Sequence, residues 1–343
     1  MSCGKKKFWR RLGLGLVAGG AIASVSCRQP EPRGRRPIDY VPSEADIIAV
    51  VDYRGFLRNK ILRTVLDVSD VERTLAAIGI SPGDILRIAG FAKISPAMLV
   101  PPGEARSGRD TGGDFSVIVQ GKGGFDPVFK ALSEEGWIEQ EHEGKPYWSN
   151  GEQNMAAASI RRDILAAGTP AAVQKVIDVA VGKASGAMDV AANSASGDIL
   201  RRIGTRSEIS LAISFSREMK MAAMEASRTM GVFRGMTGAR IFGSLFDVLG
   251  RGRGFGLSFA GVENGIAARV IFVAGDVASA KAIAGLVTVA KILIPRIGDF
   301  GPMKEAAEAV QGLNVSSERN LVLISFRIPE TIVGAGARPA GSR

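Results

Sequence analysis

A pattern of elements that occurs twice, about 160 residues apart, constrains this chain more than any single motif. Ser43-Glu44 leads into an apolar strand at Asp46–Val51, and Ser207-Glu208 leads into another at Ile209–Phe215. A long helical stretch follows each. The first, Phe56 to Ile78, carries Leu57, Ile61, Val65 and Leu66 at helical spacing and stops at Gly79; the second runs from Ser216 to about Leu249. A strand pair comes next. In the first run it is Asp84–Ile94 and Phe115–Gln120, split by the long Pro/Gly-rich loop Ser95–Gly113. In the second it is Gly254–Val262 and Ile266–Ala274, joined by the tight turn Glu263-Asn264-Gly265.

The correspondence continues. Asp126-Pro127 reads as an N-cap and first-turn proline before Val128–Leu132, and Asp276 caps Val277–Leu293 in the matching place. Ile164–Ala167 then runs through Thr169-Pro170 into the helix Ala171–Val181, and Leu321–Phe326 runs into Pro329 and a short closing helix. This order suits an α+β fold of two tandem similar halves. Each half is expected to be a mainly antiparallel, ferredoxin-like sheet with helices packed on one face. The stretch Lys183–Gly197 is small and polar and reads as the linker, giving halves at 38–190 and 198–335 and a disordered tail at 336–343. A cleft between the halves, floored by helices 216–249 and 276–298, is the expected place for a ligand or partner.

The first 36 residues read as an address. Met1 to Arg11 are basic, Leu12 to Val25 form an apolar run of about 14 residues, and Ala23, Ser24, Val25 and Ser26 precede Cys27. This order resembles the lipobox of bacterial lipoprotein precursors, in which the cysteine thiol is lipidated and becomes the first residue after cleavage. The family prefers Leu three positions before the cysteine, where this chain has Ser24. The resemblance implies a signal peptide at 1–26, a lipidated tether at 27–37 and a membrane anchor at Cys27. Arg28 after the cysteine implies an outer-membrane location facing the periplasm. Arg10-Arg11 before a glycine-rich core also resembles twin-arginine export signals. The layout of residues 40–335 is similar to that of uncharacterised bacterial envelope proteins with duplicated α+β halves, a likeness that brings no activity with it.

Charge follows the same division. The formal net charge is +10, but Lys5, Lys6, Lys7, Arg10 and Arg11 stand in the leader without an acid. Arg28, Arg33, Arg35 and Arg36 face only Glu31 in the tether, which leaves about +2 on the body. A phosphate-tracking surface is therefore not expected, and nucleic acid is not an expected partner. One histidine and two cysteines leave little for zinc, iron–sulfur or haem ligation or for a Cys–His nucleophile pair, so no metal or cofactor is expected.

Candidate chemistry is sparse. His142 lies in IEQEHEGKPY, which alternates like a hairpin turning at Glu143-Gly144-Lys145 and reads as a solvated, charged edge strand. Gly250, Gly252, Gly254 and Gly256 alternate into a strand and read as a twist or bulge; Gly121-Lys122-Gly123-Gly124 reads as a flexible turn, without the frame of a phosphate loop. No G-x-S-x-G occurs, the body beyond the leader has no S-x-x-K, and no catalytic residue is assigned. Met219, Met221 and Met224 form a cluster that reads as core or as a lipid or partner groove. Trp137 and Trp148 flank the acidic hairpin, either tucked against the sheet or marking a contact surface. The expectation is a lipid-anchored cell-envelope protein, not an enzyme, that acts by binding an envelope protein or lipid. The alternatives are a periplasmic carrier or chaperone for an apolar ligand and, last, an enzyme of unrecognised kind. Oligomeric state is left open.

Overall fold

The computed structural model describes residues 36–59, 61, 80–94, 113–221, 224, 250, 252–263, 265–297 and 312–329. Within them the first run of the repeat supplies β1 (Ile47–Val51), α1 (Tyr53–Arg58), β2 (Ile85–Ala92), β3 (Phe115–Gly121), α2 (Asp126–Glu134), β4 (Ile138–His142), β5 (Lys145–Asn150), β6 (Met155–Arg161), β7 (Ile164–Gly168) and α3 (Pro170–Val181). Next, α4 (Ala195–Ile203) leads into the second run: β8 (Ile209–Ser214), β9 (Gly252–Val262), β10 (Gly265–Ala274), α5 (Val277–Ile297), β11 (Asn314–Glu318) and β12 (Leu321–Pro329). The leader with Cys27, most of the expected helices 56–78 and 216–249, the loop 95–113 up to residue 112 and the closing helix lie outside the described residues.

All these strands join in one antiparallel sheet, ordered β11-β12-β10-β9-β8-β1-β2-β3-β7-β6-β5-β4. At its middle, β1 pairs with β8, the two strands matched above by sequence, and Ile48 stands opposite Ala212. Each wing runs outward from there as a three-strand meander. A helix then carries the chain toward the edge, and the chain returns to pair with the third strand, β7 on β3 and β12 on β10. The two runs therefore meet through a hydrogen-bonded strand pair where a cleft was expected.

Helices cover both faces of the sheet, which corrects the expectation of one covered face. Ile48 and Val50 of β1, Phe91 of β2 and Ile118 of β3 enter one core with α3 and α4. Their neighbours Val51, Ile88, Val117 and Val119 enter a second core with α1 and α2. Phe272 and Ala274 of β10 pack with Ala280 and Ile283 of α5, on the other side of the strand from Ile271 and Val273. Burial on two sides explains why IIAVV and FSVIVQG read as nearly unbroken apolar runs.

The stretch expected as a linker is built into the first core. Ala187 and Ser196 are buried, Ser196 Oγ donates to the Ala45 carbonyl at 2.5 Å, and Ser194 Oγ caps α4 by accepting from Gly197 N at 3.2 Å. Small side chains here allow close approach of backbones. The glycines of β9 do the same for α4: a Cβ on Gly256 would lie 2.7 Å from Ile199 Cγ2, and one on Gly254 2.5 Å from Ile199 Cδ1. The expected irregularity is present as a register shift opposite Val273 and Ala274. At the start of α2 a small correction is needed. Asp126 is the first helical residue and Phe125 the cap, so Asp126 sits inside the first turn.

Candidate functional site

The β4–β5 hairpin turns through Glu143 (φ 52°) and Gly144 (φ 71°), the left-handed pair a two-residue hairpin needs. Glycine supplies this freely at 144; glutamate at 143 adopts it against its preference. The hairpin is joined to α3 by polar contacts in succession. Gln174 Nε2 donates to Tyr147 Oη at 3.0 Å, and Tyr147 Oη donates to Gln140. One helical turn further, Asp178 Oδ1 lies 2.8 Å from His142 Nε2. Beyond the helix end, Lys183 pairs with Glu143. That hydrogen bond holds the Glu143 carboxyl below its ordinary range.

His142 was expected on a solvated edge, and no local signal reveals its partner, because Asp178 is 36 residues away. The histidine and aspartate are both half-buried, and ligand atoms of His142, Glu143 and Asp178 lie within 4.8 Å of one another.

A second feature is the outer side of α5. Ala280, Ile283, Ala284 and Val287 turn toward the sheet. At about 100° per residue, Ala278, Ala282, Leu286 and Val289 fall on the opposite side. Leu286 is 52% exposed and Val289 51%, with Val277 at 49%. Between Val277 and Val289 the helix is thus apolar toward solvent as well as toward the core. Lys281 is exposed on its flank, while Lys291 Nζ donates to the Leu313 carbonyl at 2.5 Å. No helix among the described residues is long and apolar enough to cross a membrane.

The residues singled out from sequence are placed differently from one another. Trp137 is buried, and Trp148 packs its ring 4.4 Å from that of Phe129. Both belong to the core beneath α2, as the reading tucked against the sheet has it, and neither marks a contact surface or groove. Met219 is half-buried and its N–H donates to Ser216 Oγ, whereas Met221 and Met224 are exposed. Met224 lies against Gly250, where a Cβ would come within 2.8 Å of its Cγ.

The glycine turn after β3 lines a shallow cup of about 420 Å³ with Lys122, Gly123, Arg161, Arg162 and Asp163. Two of its cations are engaged, Lys122 by the Gly83 carbonyl (2.5 Å) and Arg161 by Asp163 (3.1 Å). Apart from Gly123, every lining residue carries a charged side chain, unlike the lining of an apolar carrier pocket.

A scan against protein-family models finds no match, and no curated protein matches the chain. Among solved structures it is similar to TP0453 of Treponema. Crystal form III of that protein aligns with a TM-score of 0.48 and 10% identity, over 89% of this chain and 99% of the other. Form I gives 0.46 and 11%, over 89% and 97%. Form IV gives 0.43 and 9%, over 88% and 97%. Likeness at this level carries nothing about what the present chain does.

Proposed function

We propose that this is a lipid-anchored protein of the bacterial envelope that acts by binding at a membrane surface, not by catalysis. Its contact face is the outer side of α5, and the observation that carries the reading is the exposure of Leu286 and Val289 on that side. Leader chemistry supports the anchor: a basic start, a short apolar run and small residues before Cys27. Residues 28–36 then form a tether of at most about 30 Å, which keeps the body close to the bilayer that holds the lipid. Each Leu or Val side chain moved from water into an acyl region contributes roughly 1.5–3 kcal/mol, so a few suffice for reversible contact. The proposal includes an outer-membrane location facing the periplasm and an origin of the two wings by duplication, for which the matched strands β1 and β8 at the sheet centre argue.

The test separates anchor from face. The mature chain with Cys27→Ser, which cannot be acylated, is mixed with phospholipid vesicles and floated. Retention on the vesicles that is lost in Leu286→Asp with Val289→Asp supports the face. A chain that stays in solution overturns it and redirects the search to an envelope protein as partner.

A further inference from the structure

We propose that His142 Nε2, Asp178 Oδ1 and a carboxylate oxygen of Glu143 form a binding site for a divalent transition cation of the zinc type. The three groups come from two elements, the β4–β5 hairpin and the last turns of α3, and converge within 4.8 Å. Three atoms bonded to one zinc ion at about 2.0–2.2 Å stand roughly 3.4 Å apart in a tetrahedron. The His142–Asp178 pair at 2.8 Å therefore opens slightly and Glu143 closes toward it. An imidazole nitrogen with two carboxylates suits zinc and its neighbours better than magnesium or calcium, which take oxygen ligands. A fourth position stays open to water.

The surroundings are prepared for positive charge. Lys183 already places its ammonium on Glu143, and its side chain is 60% exposed, so it swings into solvent when an ion takes its place. The Gln140–Tyr147–Gln174 contacts fix hairpin and helix relative to each other one turn away, which holds the ligands in register without the ion. Glu143 stands in a left-handed turn position that favours Asn, Asp or Gly, and there its carboxylate reaches the end of α3.

The chain has one histidine, which makes the test clean. The full chain in detergent, with 13C-labelled histidine, is titrated with Zn²⁺ while the single imidazole resonance is followed. This readout is blind to cysteine-bound metal. The expected result is a saturable shift at one equivalent, an affinity at least tenfold weaker in Asp178→Asn, and a tighter one in Lys183→Met, which removes the competing cation. Lys183 is exposed, so its variant folds. An imidazole unmoved by Zn²⁺, or an affinity indifferent to both substitutions, overturns the site and leaves a hydrogen-bonded staple.

Discussion

Ile48 of β1 stands directly opposite Ala212 of β8, and both are fully buried. This pair joins the two wings of the sheet, so the first core runs unbroken from α3 to α4 across it. Truncation of Ile48 to Ala is expected to cost about 2–5 kcal/mol, as for other buried aliphatic residues. Because the wings share the ladder, chemical denaturation of the variant should remain one transition by both fluorescence and circular dichroism. Two separated transitions would mean that the wings fold independently.

Gly256 gives α4 its place on the sheet. Gly256→Val is expected to push Ile199 and Ile203 away and to lower stability by about 1–3 kcal/mol in urea unfolding. Gly123, which has open space around its Cα, serves as the control, and its Ala variant should be neutral within about 0.5 kcal/mol.

Lys175 of α3 bridges Glu44 at 2.9 Å and Asp114 at 3.2 Å. Burial works against its charge, but the hydrogen bonds it donates to the two carboxylates, together with their negative charges, outweigh it, and the pKa lies above the ordinary lysine value. A raised folded-state pKa contributes stability that is fully present below the unfolded value and is lost as pH rises through the folded one. The Tm difference between the wild-type chain and Lys175→Met should therefore hold through neutral pH and shrink only above about 10.5. A difference that fades between pH 7 and 9 would contradict this.

If Cys27 is acylated in the cell, the chain purified from native membranes should begin at Cys27 and carry added acyl mass. Denatured mass spectrometry checks this, and an unmodified chain cut near Ser26 would contradict it.

Much of the architecture was legible in periodicity and turn chemistry. The strands 47–51, 85–92, 115–121, 209–214 and 265–274 all lie where apolar runs bounded by breakers placed them. β6 escaped because MAAASIR has little β-branched character, and its small residues pack against helix α3. β11 escaped because NVSSE is a short, polar edge. α4 escaped because its small capping residues resemble a linker until Gly254 and Gly256 are seen beneath it. Polarity along β4 was read correctly, but the approach of Asp178 to His142 is a product of tertiary packing and leaves no mark on either segment. The second covered face went unread because strand order decides which helix packs on which side, and that order depends on the pairing of β1 with β8.

The measurement that bears most directly on the proposed role is flotation of the unacylated mature chain with phospholipid vesicles, compared with its Leu286→Asp, Val289→Asp variant. The wild-type face should carry the protein up with the vesicles, and the variant should stay behind by at least tenfold in partitioning while unfolding at the same urea concentration. Equal flotation of both, or of neither, would contradict a membrane-binding face on α5.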